Sequence, residues 1–444
     1  SNQNYFDCFY IGETPVLLTR EREGKEIVKL RINVLNPNTY AVVRSEEVYS
    51  TDFNKKAFPL LFGFGIKIDM GNFGLVKSPN DKFFTLYSLE EDKLLYKIYD
   101  ENAEEISDGE HSFEEIPEDE VSGVDFKLSD EGELIILQSS SQEVILSRLG
   151  KKEFSTSYDL ELEGEEFASE INMELKDSKI FITGLVETFE PFGKKGRLKR
   201  KNIGIFNFSV DSKTGKTLNS INNVRITDKT INENLTKYEK KRIAKGKSNA
   251  KDFLNQFSLS DVVIADNGEV FVMIEYFDYY VTTSYSSSGG TTSTPHYVGG
   301  NVIAFKFAAN NELDWEKTIV KYSNDTSPIY RSFRSLYDNA NNVLHLIFND
   351  HGGKYPGKHA TYKGLVGGTL NRVFTDYNLN ANGEGEVFLY KSNGNSIVQQ
   401  NSNLNYGPIF FQSLTKGLQL PHYTQISKGW KKLNVFNGVI TTTK

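Results

Sequence analysis

The chain has 444 residues, which at roughly 150 per domain allows about three domains. Apolar residues make up 38% and aromatics 13%, including 31 Phe and 23 Tyr, which is enough to bury a core and excludes wholesale disorder. The net charge of −8 gives no overall pull toward nucleic acid, the lone Cys8 excludes an intramolecular disulfide and a Cys-based zinc site, and no apolar run reaches the roughly 18 residues of a membrane span.

The chain opens Ser1-Asn2-Gln3-Asn4-Tyr5, with neither an initiator Met nor a charged-then-apolar leader. The expectation is an exported protein (periplasmic, cell-surface or secreted) in mature form, any signal peptide having been removed and Ser1-Asn2 being a cloning remnant. Scarce Cys with abundant Asn, Gly, Ser and Tyr suits a bacterial export product. Cys8 falls in the apolar run Tyr5–Ile11 and is expected to be a buried small hydrophobe, with no His near it in sequence to activate it.

From there, apolar alternation of period two dominates. Ile27–Val34 with Tyr40–Val48 reads as a hairpin, and Leu94–Tyr99 and Val144–Leu149 each begin another. Leu134–Leu137 follows the turn Ser129–Glu133, and Val270–Ile274 follows Ala265–Glu269. Pro79–Lys82, Lys176–Lys179, Asp338–Asn342 and Ser392–Asn395 occupy similar places. Asn, Asp and Gly tolerate the positive φ of tight hairpins, so each of these is a strand–turn–strand junction. Ile203–Phe208 runs through Asp211–Gly215 to Leu218–Val224, and Asn301–Phe307 runs through Asn310-Asn311 to Leu313–Ile319. Gly364–Thr369 and Ile409–Leu414 continue the series. The unit is four antiparallel strands in about 45 to 70 residues, repeated about seven times. This predicts an all-β chain: a β-propeller of seven four-stranded blades, with six or eight as alternatives, forming a single domain over 1–444, with one short helical insertion near 230–246. Leu433–Ile440 is expected to pair with N-terminal strands and protect the sheet edges. An array of β-sandwiches is the structural alternative and would require Greek-key crossovers.

At these hairpins, and most of all over Asn301–Ile319 with its strand, turn and polar-Trp-polar strand, the chain resembles uncharacterised secreted or periplasmic β-propellers of Bacteroidetes-type bacteria. The signatures of better-marked propellers do not fit. There is no Gly-His…Trp-Asp pairing, no kelch double glycine and no sialidase Asp box. Asp211-Ser212-Lys213-Thr214-Gly215-Lys216 is similar to the turn of quinoprotein propellers, but occurs once and lacks the following Trp, so no quinone cofactor is expected.

In a four-stranded blade, the connection between the second and third strands lies at the same end as the link to the next blade. Glu190–Asn202, Tyr279–Gly300 and Asn349–Lys363 are expected as long second-to-third loops, and the insert Thr227–Asp252 as a blade-to-blade link, so all four fall on one rim. In the insert, Thr230-Ile231-Asn232-Glu233 has the capping-box pattern, Ile231, Leu235 and Tyr238 share a helix face, and Gly246 suits the end. Lys194, Lys195, Arg197, Lys199, Arg200 and Lys201 contribute +6; Lys237, Lys240, Lys241, Arg242, Lys245, Lys247 and Lys251 against Glu239 contribute another +6; the rest of the chain then carries −20. Such a patch could hold a polyanion, of which nucleic acid is the least expected because only Tyr238 is interleaved.

The candidate ligand-binding residues are Tyr276, Asp278, Tyr279, Tyr280, His296, Asp350, His351 and His359. Tyrosines beside carboxylates suit sugar recognition, the rings stacking on C–H faces while carboxylates accept hydroxyls; an exposed hairpin with cross-strand aromatic pairs has the same pattern. The spacing of His351 and His359 does not enforce metal ligation, and no metal or other cofactor is expected. No Gly-x-Ser-x-Gly elbow, phosphate loop or His-Glu-x-x-His occurs, and no glycosidase carboxylate pair stands out. The sequence therefore points to a monomeric, non-enzymatic scaffold for a glycan or protein ligand, the alternative being a polysaccharide hydrolase or lyase using rim carboxylate and His residues.

Overall fold

Asn and Gly turns separate short apolar strands along the whole chain, and in the structure, a computed structural model, those strands pair with their sequence neighbours. It describes residues 3–23, 27–52, 73–89, 93–113, 123–150, 153–192, 197–235, 237–246, 256–285, 290–325, 333–351, 372–390, 404–406, 412–414, 417–426 and 429–437.

Strands β1 (Gln3–Ile11), β2 (Thr14–Glu23), β3 (Ile27–Leu35) and β4 (Val42–Asp52) make the first sheet, in that order. The second has β5 (Phe73–Lys77), β6 (Phe84–Leu89), β7 (Lys93–Tyr99) and β8 (Glu105–Ser112). The third has β9 (Gly123–Leu128), β10 (Leu134–Ser139), β11 (Glu143–Leu149) and β12 (Phe154–Asp159). The fourth has β13 (Phe167–Lys176), β14 (Lys179–Phe192), β15 (Arg197–Asp211) and β16 (Asn222–Arg225), followed by helices α1 (Asp228–Asn234) and α2 (Lys237–Ala244). The fifth has β17 (Phe257–Ile264), β18 (Val270–Tyr285), β19 (Thr291–Phe307) and β20 (Leu313–Ile319), with the short β21 (Ser323–Asp325) also on β19. The sixth has β22 (Phe333–Asp338), β23 (Val343–His351), β24 (Arg372–Leu379) and β25 (Gly385–Tyr390). In the last, β28 (Gly417–Ile426) pairs with β26 (Leu404–Tyr406), β27 (Gln412–Leu414) and β29 (Gly429–Asn437).

The chain divides into two compact units, residues 1–189 with 204–223 and residues 190–203 with 224–444. In the first unit, Leu18, Leu30 and Ile32 of the first sheet pack on Phe84 and Tyr99 of the second, with Phe9 edge-on to Phe84 at 5.2 Å. On the other face of the second sheet, Tyr96 and Ile98 meet Phe126, Leu134 and Ile136 of the third. In the second unit, Phe271, Met273 and Ala304 of the fifth sheet pack on Phe333, Leu344 and Phe348 of the sixth. Successive four-stranded meanders stacked face to face in this way are the blades of a β-propeller, and that is the fold class.

The turns that betrayed the repeat share one geometry. In Ser129–Glu133, Ala265–Glu269 and Asn380–Glu384 the first residue's N–H bonds the fifth residue's carbonyl, and a glycine at the fourth place takes positive φ (Gly132 76°, Gly268 85°, Gly383 74°). This is a type I turn closed by a left-handed residue, the common three-residue hairpin loop.

First strands also latch neighbouring sheets together. The Asp125 carboxylate on β9 accepts from Phe126 N at 2.8 Å and from Met173 N on β13 at 2.9 Å. Asp261 on β17 repeats the pattern, accepting from Val262 N at 3.0 Å and from Ser335 Oγ on β22 at 2.5 Å. Burial raises the Asp125 carboxyl above the usual range, and the Lys127 cation opposes the shift.

Several expectations need correction. Cys8 is exposed, because a register shift between Tyr5 and Asp7 changes which residues of β1 face the core. The helix starts earlier and is broken. Thr227, not Thr230, is the N-cap, its hydroxyl accepting from Thr230 N at 3.3 Å, and Thr230 is buried inside α1. Glu190–Asn202 and Tyr279–Gly300 are for the most part strand, not loop, because β14, β15, β18 and β19 continue into them. Of Leu433–Ile440, expected to pair with N-terminal strands, residues 433–437 belong to β29, which among the described residues pairs with β28, and residues 438–440 lie outside the described residues. Residues 364–369 lie outside the described residues.

Two buried phenols give a pH test of this packing. Burial pushes Tyr87 up to about 12 and Tyr158 up to about 12. An unfolded tyrosine ionises near ~10, so the stability these groups contribute is complete below about pH 10 and is lost as pH rises through their folded values. The urea midpoint is expected to hold to about pH 10 and fall steeply above it, less steeply in the Tyr87→Phe/Tyr158→Phe variant. Equal falls in the two proteins would refute the assignment.

Candidate functional site

The second unit carries a ribbon that outgrows its sheet. Strands β18 and β19 pair from Val270↔Phe307 to Tyr285↔Thr291, whereas β17 accompanies β18 only as far as Tyr276. The burial of β18 changes with it, from fully buried over Val270–Glu275 to exposed from Tyr279 onward. The change coincides with a bulge. Glu275 pairs with Val302 and Phe277 with Gly299, so Gly300 and Asn301 together oppose Tyr276. A bulge bends and twists a strand pair, and here it marks where the ribbon departs.

Alternation sorts the ribbon into two faces. One carries Tyr279, Val281 and Tyr285, with Tyr297 and Pro295 opposite. Tyr279 and Tyr297 pair at 5.1 Å between ring centroids, and Tyr285 is 81% exposed. The other carries Asp278, Tyr280 and Thr282, with His296 and Thr294 opposite. Tyr280 stacks on His296 with centroids 4.6 Å apart and planes within 6°, and the His296 Nε2 is 2.9 Å from the Thr282 hydroxyl. Asp278 Oδ1 accepts from Tyr279 N at 2.8 Å.

The base of the ribbon is a polar junction. Glu275 and Lys321 form an ion pair with side chains 8% and 0% exposed. The Lys321 ammonium also reaches the Gly300 carbonyl at 3.4 Å, and its backbone N–H donates to Asn301 Oδ1 at 3.3 Å. Asn301 Nδ2 in turn donates to Asn234 Oδ1 at 2.8 Å, and Asn234 Nδ2 donates to Thr318 Oγ1 at 3.0 Å. Thr227 N donates to Glu316 at 3.3 Å. The helical insert is thereby tied to β20 and to the bulge from which the ribbon leaves.

Of the residues singled out in sequence, Tyr279, Tyr280 and His296 meet their partners on the ribbon, and Asp278 lies beside them. Tyr276 is turned away: it packs edge-on to Phe257 at 5.9 Å, its hydroxyl donates to Gln256, and its ring covers Gly300, where a Cβ would come within 2.7 Å. Asp350 and His351 end strand β23, paired with Val373 and Arg372, and so do not sit in a loop. His359 lies outside the described residues, as do Lys194 and Lys195. Arg197, Lys199 and Arg200 lie on β15; Lys201, expected in the solvated patch, is 4% exposed. Lys241 and Arg242 sit exposed in the last turn of α2. Among the described residues no group of three His, Cys, Asp or Glu side chains is placed to hold a metal ion. Asp211, in the quinoprotein-like turn, is occupied locally: Oδ1 accepts from the Thr214 hydroxyl and N–H at 2.8 Å each, and the hydroxyl bond in particular holds the carboxyl below its usual range.

The sequence reading missed the junction. Lys321 and Glu275 are 46 residues apart, and nothing local in Val320-Lys321-Tyr322 marks a buried cation.

No protein-family model matches the chain, and no curated protein sequence matches it. Among solved structures it is similar to the polysaccharide lyase Uly1, at 11% identity and a TM-score of 0.40 over 97% of this chain and 89% of that one. It is also similar to the β-propeller domain of the Trilobed protease from Pyrococcus furiosus, at 8% identity and 0.37 over 98% and 93%. A third similarity, at 8% identity and 0.36, is to prolyl oligopeptidase B from Galerina marginata; it covers 95% of this chain, which spans about half of that enzyme (46%).

Proposed function

We propose that the protein is an exported, non-enzymatic binding scaffold that holds a glycan on the β18–β19 ribbon. The observation that carries this reading is the ribbon itself. It extends past its sheet with Tyr279 49% and Tyr285 81% exposed, and so presents rings to solvent where a core strand would hide them. Large exposed apolar groups in one place mark interaction surfaces. Around the rings stand Thr282, Thr283, Ser284, Thr291, Thr292, Ser293 and Thr294, short hydroxyls that donate to and accept from sugar hydroxyls while tyrosine rings stack on C–H faces.

The test is a glycan array read with the wild-type protein and with Tyr279→Ala/Tyr297→Ala. Both rings contact each other outside the core, so the variant is expected to keep its melting temperature within about 2 °C. Its retention on any glycan that binds the wild type is expected to fall at least about tenfold, the loss of one stacked ring pair. Binding that survives the substitution, or wild-type protein that retains no glycan, would sink the reading. Release of sugar during the incubation would instead favour a hydrolase or lyase using Asp350, His351 and His359.

A further inference from the structure

A strongly basic stretch follows α1, and the reading above leaves it unused. Over residues 237–251 there are seven cations, Lys237, Lys240, Lys241, Arg242, Lys245, Lys247 and Lys251, against the single Glu239. Within α2 and the turn that ends it, Lys240, Lys241 and Lys245 are exposed. Gly246, at φ 64°, takes the left-handed conformation just past the end of α2 at Ala244.

The insert's placement supplies the second observation. The Asn234–Asn301 bond and the Thr227–Glu316 bond fix α1 to β20 and to the bulge, so α2 begins three residues from the ribbon's anchor. The ribbon is poor in charged residues: over 276–300 its sole Asp, Glu, Lys or Arg is Asp278. A second basic segment is drawn to the same unit. Residues 190–203, the end of the β14–β15 hairpin that contains Arg197, Lys199 and Arg200, belong by contact with 224–444, and Ile226 N donates to the Ile203 carbonyl at 3.0 Å.

We infer that the α2 insert is a cationic clamp and that the glycan held on the ribbon is an acidic one, a carboxylated or sulfated polysaccharide. This rests on the ribbon reading and specifies its ligand. Neutral rings and hydroxyls hold the sugar faces, and the lysines at the ribbon's base take the acid groups. Outside the two basic segments the chain carries −20, which disfavours an acidic polymer away from them. Among the insert's cations only Tyr238 is interleaved, so the insert lacks the row of rings on which nucleic-acid bases would stack.

The experiment measures retention of the full chain on immobilised polygalacturonate, heparin, neutral dextran and single-stranded DNA, from about 20 to about 500 mM salt, over which the screening length shortens about fivefold. The proteins are wild type, Lys240→Gln/Lys241→Gln/Lys245→Gln and Tyr279→Ala/Tyr297→Ala. Arg242 is left in place because it has a partner within the fold. The wild type is expected to bind polygalacturonate or heparin more tightly than dextran and DNA, with retention falling as salt rises. The lysine variant is expected to lose about tenfold or more of that binding and flatten the salt dependence. Its melting temperature stays unchanged, and any dextran binding is kept. Acidic binding untouched by the lysine variant, or equal to dextran binding, overturns the clamp while leaving the ribbon reading intact. DNA retained as tightly as the polysaccharides overturns it as a general polyanion site. No glycan retained by any of the proteins removes the ribbon reading as well.

Discussion

Lys321→Met is expected to lower the unfolding free energy by about 3–5 kcal/mol, the cost of leaving one partner of a buried ion pair without the other. The Lys321 side chain is fully buried and the Glu275 side chain 8% exposed, so water cannot take the place of the missing ammonium. The bond to the Gly300 carbonyl is lost with it. Lys321→Met/Glu275→Leu removes both charges and should recover most of the loss, since an apolar pair of similar volume is often as stable as the ions it replaces. Urea titrations of the two variants and the wild type check both statements. A single variant within about 0.5 kcal/mol of wild type would show that the pair does not hold the ribbon's base.

Arg148→Met should have an effect of the same size in the other unit. Arg148 and Glu133 form an ion pair with side chains 3% and 6% exposed, on the third sheet. Arg148 Nη1 reaches across to the Ser212 carbonyl at 2.5 Å in the turn after β15, beside the Tyr158 hydroxyl that donates to the Gly215 carbonyl at 2.5 Å. The substitution therefore strands a buried carboxylate and cuts a tie between sheets, for a loss of about 3–5 kcal/mol. Amide exchange near Ser212 should quicken as well. The contrast is Lys97–Glu105, also an ion pair, at 2.8 Å but with side chains 29% and 38% exposed. Lys97→Met should cost under about 1 kcal/mol, because solvent already screens the pair. Equal losses in Arg148→Met and Lys97→Met would mean that burial is not what gives the first pair its weight.

The parts of the fold legible in sequence are those decided locally. Ser129–Glu133 and Ala265–Glu269 could be read as hairpin turns because their glycines are needed at positive φ, and the strands on either side alternate. The ribbon was harder. Thr282–Thr294 has the Ser, Thr and Gly content of a loop, yet Thr is β-branched, and Tyr279, Val281 and Tyr285 keep a period of two into the stretch. The expectation of a long loop over Tyr279–Gly300 followed composition, whereas the exposed-hairpin reading of the same tyrosines followed periodicity and is the one the paired strands show. The capping-box pattern puts the helix start at Thr230, whereas the N-cap is Thr227, whose N–H donates to Glu316, 89 residues away, a contact that no local pattern announces. Cys8 was misplaced by a bulge that no motif announces. Tyr279, Tyr280 and His296 were found because they are adjacent on a hairpin; the Glu275–Lys321–Asn301–Asn234 chain was not, because it joins three segments distant in sequence.

The ribbon's reach creates a hazard that its sequence answers. Past Tyr276 on one side, and past Tyr297 on the other, no described strand covers its edges, and an uncovered edge is a template for pairing with another molecule. Pro295 breaks that template on β19, because it has no N–H to offer an incoming strand. Residues 282–284 and 291–294, Thr and Ser throughout, make the tip poor in the apolar contacts that would stabilise a stack of copies. Tyr279 and Tyr285 thus stand on an arm whose tip offers an incoming strand little to pair with.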